Sequence, residues 1–232
     1  MICILGGGVV AKSLATYFGE RAFIVRSAEL DLTKKDKVKD FFEKNENIEV
    51  VILCSKVGGD GVDPVDTVET NLRIYTNVET FSKGKLICFS SGARFIEESR
   101  YGFSKYIQER LMTRGTCIRI YNCFGPNESS RRFISTCIRE KKVTIPDDRY
   151  FDFFHVEDLF RVIELVINGT IQDKLFDAVY SKKYKLSEVA RMIGAEPVIT
   201  GTSDIDYVGD GSTIEFMQFP ELDSILKNYS NK

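Results

Sequence analysis

Tyr101 and Lys105, in the run Tyr101-Gly102-Phe103-Ser104-Lys105, stand four residues apart, which on a helix puts a phenol and an ammonium on one face. A phenol ordinarily titrates near pH ~10, and a neighbouring ammonium favours the phenolate, so the pair can pass a proton near neutrality. The spacing alone is common on surface helices. Ten residues before the tyrosine lies Ser91, in Phe89-Ser90-Ser91-Gly92, which reads as a strand end able to present a hydroxyl to a reacting oxygen. Ser90 is near enough to take its place, and a strand-end serine can instead cap backbone.

Other chemistries are poorly supplied. The single histidine, His155, makes a zinc site or a Ser-His-Asp triad hard to build. The six cysteines form no Cys-x-x-Cys, and four sit in apolar β-like runs where they read as small buried hydrophobes, as reduced thiols in a cytosolic protein would. A net charge of −2 with scattered signs leaves no footprint for nucleic acid or an anionic membrane. No stretch has the length of a membrane span, and the apolar run Met1 to Leu5 is too short and too little basic for a signal peptide, so a cytoplasmic location is expected.

The elements that must position Tyr101, Lys105 and Ser91 alternate along the first half of the chain. Apolar strand candidates are Ile2 to Leu5, Ala22 to Val25, Glu49 to Leu53, Lys85 to Phe89 and Thr116 to Tyr121. Helical segments fall between them at Val9 to Phe18, Lys34 to Glu43, Val65 to Phe81 and Tyr101 to Met112. This alternation predicts an α/β fold, a Rossmann-type doubly wound parallel sheet with crossover helices. After Asn122 the pattern loosens: a loop over Cys123 to Ser130, a helix around Arg132 to Glu140, a strand at Val143 to Ile145, a helix from Val156 to Ile167, a strand-like Leu175 to Tyr180 and a helix from Leu186 to Ile193. The expected division is a dinucleotide-binding domain over 1–122, onto which helix 156–168 packs back. A small mixed substrate lobe, 123–155 and 169–232, would close on it with the ligand between them.

After the first strand, Gly6-Gly7-Gly8-Val9-Val10-Ala11 matches G-x-G-x-x-G/A. Glycine allows a tight turn and close backbone approach to a pyrophosphate, which then sits on the positive end of the helix. Gly6, Gly8, Val9, Val10 and Ala11 are therefore candidate dinucleotide contacts, although the same string can be a glycine turn in another α/β protein. Where an NAD-binding chain carries an acid after the second strand, this one has Arg26, which can pair with the 2′-phosphate of NADP or be a solvated surface charge. Asp31-Leu32 follows, where a carboxylate beside the adenine is one reading and a turn before the next helix the other.

The glycine turn, the Ser-Ser strand end, the Tyr-x-x-x-Lys helix, Arg119-Ile120-Tyr121-Asn122-Cys123-Phe124-Gly125-Pro126 and Phe153-Phe154-His155-Val156-Glu157-Asp158-Leu159 occur in one order over about residues 1 to 195. In that order they resemble the extended short-chain dehydrogenase/reductases that act on nucleotide sugars, the NAD-dependent epimerase/dehydratase group. The resemblance implies that Ser91 hydrogen-bonds the sugar oxygen, that Tyr101 transfers the proton, and that Lys105 holds the nicotinamide ribose and lowers the tyrosine pKa. It also places Cys54, Ser55 and Lys56 along the cofactor and Asn122 on the substrate, while an Asx turn before Gly125-Pro126 is the other reading of Asn122. It further implies a homodimer through the Val65 to Phe81 and Tyr101 to Met112 helices. Two departures stand out: the glycine turn is one residue shorter than the family's G-x-x-G-x-x-G, and the serine-to-tyrosine interval is shorter than the family's, so Gly92 to Arg100 must be a tight connection.

Within the family, Lys56-Val57-Gly58-Gly59, Arg26 and Glu29-Leu30-Asp31-Leu32 look like GDP-fucose synthase and related sugar reductases. The epimerising cysteine of that group falls at Ala93, and the loop after Gly125-Pro126 has no histidine, which argues against epimerisation at C3 and C5. The acid pair of the 4,6-dehydratases falls at Gly92 and Ala93, which argues against dehydration. What remains is NADP-dependent reduction of a nucleotide 4-keto-(6-deoxy)sugar at C4, or 4-epimerisation with tightly held NAD. A third reading, from another class, is a non-catalytic NADP sensor. Lys56 is a substrate contact or a solvated loop lysine. Arg132 and Arg149 can clamp the diphosphate bidentately or be surface charges, and His155 reads as a packing residue at the lobe junction.

Overall fold

The computed structural model describes residues 1–59, 61, 63–95, 99–126 and 128–230. The chain forms two compact units, one of Met1–Arg119 with Ile163–Phe176 and one of Ile120–Val162 with Asp177–Lys232.

The first unit is built from β1 (Ile2–Leu5), α1 (Val9–Phe18), β2 (Ala22–Val25), α2 (Lys35–Lys44), β3 (Val50–Leu53), α3 (Thr67–Phe81), β4 (Lys85–Ser91), α4 (Arg100–Leu111) and β5 (Thr116–Ile120). Every residue of β1 and β3 is buried, as both faces of a central parallel strand must be when helices cover the sheet. β1 pairs in parallel with β2 and β3, and β3 with β4. With β9 (Leu175–Ala178) at the far edge, the six-stranded parallel sheet runs β2-β1-β3-β4-β5-β9, so the Rossmann-type parallel sheet expected from the alternation is observed. The order reverses between β1 and β3, and in open α/β sheets the crevice outside the strand C-termini at that point is where ligands bind.

A core cluster of Leu5, Val25, Val38, Phe42, Val51, Leu53, Ile74, Val78 and Leu86 holds α2 and α3 on one face of this sheet. α4 differs from its neighbours, because the residues it buries are Tyr101, Gly102, Ser104, Lys105 and Gln108. A helix that buries polar side chains must satisfy each of them, and this requirement fixes much of the site geometry.

The second unit contains β6 (Asn122–Phe124), α5 (Phe133–Glu140), β7 (Lys142–Ile145), β8 (Phe153–His155), most of α6 (Val156–Ile167), α7 (Leu186–Met192), β10 (Glu196–Ile199) and α8 (Leu222–Ser230). β6 pairs in parallel with β8, and β7 with β10. The expected loop at Cys123 to Ser130 therefore begins inside a strand, and β8, β10 and α8 were not anticipated. Strands of three or four residues carry too few positions for a period-2 pattern, and their partner across the sheet decides them. Among the described residues, no helix is long and apolar enough to cross a membrane, and no group of His, Cys, Asp or Glu side chains is placed to hold a metal.

Candidate active site

At the C-terminal end of β1 the chain turns at Gly6, whose N–H donates to Val25 O at 2.9 Å. Its φ of +136° is a conformation that side chains disfavour, and a Cβ there would lie 3.0 Å from Ser55 N and 3.2 Å from Cys54 C. The ends of β1 and β3 are thus in backbone contact at the topological switch point. Gly8 is the N-cap of α1 in extended conformation, with no side-chain cap and no acidic residue in the first turn. The amides of Val9, Val10 and Ala11 open a helix whose first-turn N–H groups have no intrahelical acceptors, so the turn presents positive dipole to whatever lies outside it. Space around Gly8 is open, and Ala11 is fully buried where helix meets sheet. These features fit a dinucleotide pyrophosphate.

Arg26 follows β2 and is exposed, with its Cγ 3.7 Å from where a Gly7 Cβ would sit. Its N–H donates to Glu29 Oε2 at 2.8 Å, and its carbonyl accepts from the N–H groups of Glu29 and Leu30, closing a turn that keeps the guanidinium stem beside the glycine loop. Asp31 takes the turn role left open above. Its Oδ1 accepts from Thr33 Oγ1 at 2.6 Å and Thr33 N at 3.0 Å, and these bonds lower its pKa. The Leu32 side chain is in the core, and its carbonyl accepts from Asn77 Nδ2 at 2.9 Å. After β3, Cys54 N donates to Leu5 O at 2.9 Å and Ser55 Oγ to the same carbonyl at 3.2 Å. Burial pushes the Cys54 thiol up to about 12, which rules it out as a thiolate nucleophile at neutral pH.

Hydrogen bonds separate the two serines at the end of β4. Ser90 Oγ is fully buried and donates to Glu109 Oε1 at 2.6 Å. Ser91 Oγ accepts from Ala93 N at 3.2 Å, and its own proton has no acceptor among the described residues. Ser91 is thus the serine able to donate to a substrate oxygen. Glu109 also receives Arg94 at 2.9 Å and Arg119 at 2.8 Å, with its side chain only 4% exposed. The tight connection expected from Gly92 to Arg100 opens with a 3-10 turn, Gly92–Phe95; residues 96–98 lie outside the described residues.

α4 enters with Ser99 as N-cap, its Oγ accepting from Gly102 N at 2.9 Å. Gly102 lies so close to the turn after Ser91 that a Cβ would be 2.0 Å from Ala93 O. This contact sets the helix start against the serine turn. Tyr101 is 9% exposed and Lys105 5%. Lys105 Nζ donates to Phe89 O at 2.8 Å and Gln108 Oε1 at 3.0 Å, and lies 5.7 Å from the Tyr101 ring centroid. Burial lowers the Lys105 pKa from its ordinary value. Ser91, Tyr101 and Lys105 therefore share one β4–α4 corner of the first unit.

Two further groups reach Tyr101 from the loop after β3. Asp63 Oδ2 accepts from the Tyr101 N–H at 2.7 Å, and Lys56 Nζ lies 5.1 Å from the ring centroid. Asp63, Gly102 and Glu109 were missed in the sequence. A glycine inside the Tyr-x-x-x-Lys helix was the available signal for Gly102, and nothing local pointed to the other two.

The remaining candidates belong to the second unit. Asn122 Nδ2 donates to Asp152 O at 3.1 Å, a cross-strand bond between β6 and β8. Arg132 is the N-cap residue of α5, and its Nε lies 3.3 Å from Glu128 Oε2. Arg149 lies 3.3 Å from Asp147 Oδ2, donates to Ile205 O and stacks on Phe151 at 5.7 Å. The His155 ring packs on Phe124 and Tyr229 at 5.1 and 6.0 Å.

The fold and this corner define a dinucleotide-binding oxidoreductase scaffold, and residues 8–175 match the model of the NAD dependent epimerase/dehydratase family. The chain belongs to that family. A 78-residue segment is 33% identical to GDP-L-fucose synthase 1 of Arabidopsis thaliana, covering 31% of this chain and 24% of that protein, so the match spans about a quarter of the relative's length. The fold is similar to that of a GDP-D-glycero-L-gluco-heptose synthase from Campylobacter jejuni solved in the presence of NADPH, with TM-score 0.81 and 18% identity over 99% of this chain and 96% of that one. It is also similar to a GDP-mannoheptose C4 reductase from the same organism with NADP bound, with TM-score 0.77 and 20% identity over 100% and 98%. A dTDP-4-dehydrorhamnose reductase from Bacillus anthracis in complex with NADP gives TM-score 0.78 at 16% identity, over 98% of each chain.

Proposed function

We propose that this chain is an NADP-dependent nucleotide-sugar oxidoreductase that reduces a 4-keto sugar at C4. The observation that carries the reading is the β4–α4 corner: Tyr101 over a buried Lys105, beside a Ser91 hydroxyl with an uncommitted proton, and with no acid, base or thiol at Gly92 or Ala93. Relatives named as C4 and 4-keto reductases, several with NADP bound, support the substrate class and the cofactor.

The glycine turn at Gly6 and Gly8 with the amides of Val9, Val10 and Ala11 would hold the pyrophosphate, and Arg26 the 2′-phosphate. The turn at Asp31 and Leu32 would only border the adenine through its backbone, since the Asp31 carboxylate is engaged by Thr33 and the Leu32 side chain is buried in the core, and Cys54, Ser55 and Lys56 would line the way towards the nicotinamide. When bound, the nicotinamide supplies the reducing equivalent. Tyr101 Oη gives its proton to the carbonyl oxygen, Ser91 donates a hydrogen bond to that oxygen, and Lys105 favours the phenolate left behind. Asn122, Arg132 and Arg149 are the proposed substrate contacts of the second unit. A homodimer through α3 and α4 and a cytoplasmic location remain part of the proposal.

Purified protein is mixed with NADPH and a panel of nucleotide 4-keto-6-deoxysugars while NADPH absorbance is followed. Stoichiometric consumption by at least one sugar, reduced by about 10²-fold or more in Tyr101→Phe, is expected. No consumption across the panel overturns the reading. Retention of NAD through purification, with turnover and no net consumption, identifies a 4-epimerase instead. A thermal shift with NADP, no turnover and no effect of Tyr101→Phe identifies a sensor.

A further inference from the structure

The loop after β3 is built to carry a charge to the tyrosine. Gly58 and Gly59 adopt φ of +78° and +84°, so the chain folds back until the Gly59 backbone packs on the ring, where a Cβ would lie 2.9 Å from Tyr101 Cε1. The loop is fastened on both sides. From α3, the buried Asn71 accepts from Val57 N at 2.8 Å, donates to Val57 O at 2.9 Å, and donates to Ser104 Oγ of α4 at 3.0 Å. From its far end, Asp63 accepts Gly59 N at 2.8 Å through one oxygen and Tyr101 N at 2.7 Å through the other. The Lys56 ammonium donates to Gly58 O at 2.5 Å, which draws the exposed side chain back across the loop. It comes to rest 5.1 Å from the Tyr101 ring centroid, within the range of a cation–π contact and nearer than Lys105 at 5.7 Å.

We propose that Lys56 is a second tuning cation for Tyr101, held at the ring by the double-glycine loop, and that with Lys105 it sets the pH at which the phenol passes its proton. This deepens the reductase reading and rests on Tyr101 as the proton donor. The charged groups at Tyr101, among the described residues, are Lys105 on its own helix and Lys56 and Asp63 from the loop; Arg100, just before it, donates to the Asp63 carbonyl, and the Cys54 thiol lies near Lys105. Asp63 opposes the cations. Partial burial pushes its carboxyl up, but the N–H groups of Tyr101 and Gly59 and the Ser99 hydroxyl together hold it below the usual range. Its charge is shared among those donors at the backbone of Tyr101, whereas Lys56 is placed at the ring.

Lys56 is exposed, so Lys56→Met leaves the core intact. Removing a cation makes the phenolate harder to form. The ionisation assigned to Tyr101, read by ultraviolet titration as the difference between each protein and its Tyr101→Phe counterpart, is expected to move upward in Lys56→Met by roughly half a pH unit to one. Lys56→Arg restores it. In the reductive reaction the protonated tyrosine is the active form, so the alkaline fall of kcat moves to higher pH in Lys56→Met while KM for the sugar changes little. An unchanged phenol titration in Lys56→Met overturns the proposal. So does an effect confined to KM, which makes Lys56 a substrate ligand only. The titration needs no substrate, so it tests Lys56 even if the panel shows no turnover, whereas full activity of Tyr101→Phe overturns the reductase reading itself.

Discussion

Glu109 offers the sharpest test of how the corner is held. Its carboxylate, 4% exposed, faces Arg94 at 2.9 Å and Arg119 at 2.8 Å, and accepts the Ser90 hydroxyl at 2.6 Å. Glu109→Gln preserves shape and an acceptor for Ser90 while removing the charge. Breaking a buried ion pair costs about 3–5 kcal/mol, because the surviving partners are left uncompensated. Both arginine side chains are 16% exposed, so water recovers a part, and the expected loss is about 3 kcal/mol. For a chain of this size, that is a fall of about 6–12 °C in thermal midpoint by calorimetry. Replacing all three groups together, with Glu109→Leu, Arg94→Met and Arg119→Met, leaves no charge stranded and is expected to recover a part of the loss, the remainder being the buried Ser90 hydroxyl deprived of its acceptor. A Glu109→Gln loss below about 1 kcal/mol, or a triple variant as unstable as the sum of its single changes, refutes the reasoning.

Gly102→Ala places a methyl 2.0 Å from Ala93 O, so either α4 or the serine turn must move; reduction is expected to fall by about 10²-fold or more in steady-state assays, with a lowered thermal midpoint. Gly6→Ala meets both the +136° backbone and the Ser55 amide at 3.0 Å, and is expected to weaken NADPH binding at least about tenfold by calorimetric titration, after a strain cost of about 1–3 kcal/mol. Burial pushes Glu128 above its ordinary 4.5, against the opposing pull of Ser135 and Arg132. Between 4.5 and the raised value the folded state binds more protons than the unfolded one, so stability falls as pH rises through that window and stays lower at neutrality. Glu128→Gln keeps an acceptor for Ser135 and is therefore expected to melt above the native protein at neutral pH, the gap closing below pH 4.5 in melts across a pH series.

The sequence by itself determined most of the first unit's elements closely: β1, β2 and α1 have the expected ends, β3, α2, α4 and β5 differ by one residue at most at either end, and α3 and β4 differ by two residues at one end. Strands buried on both faces must be continuous apolar runs, and helices that cover one sheet face must repeat near 3.6, so burial writes both into the chain. The pairing of Tyr101 with Lys105 was legible for the same local reason, since four residues are one helical turn. β6, β8 and β10 were not, because strands so short owe their existence to a partner far along the chain. The site divided along that line too. Ser90 and Ser91 are equivalent as letters, and Glu109, eighteen residues past Ser91, takes the first while the second donates to no acceptor among the described residues. Lys56 and Asp63 reach Tyr101 from about forty residues upstream, and a contact across that separation is created by the crossover connection and the two left-handed glycines, which local spacing does not encode. Local periodicity specified which side chains could share a helix face; long-range packing decided which groups stand beside them.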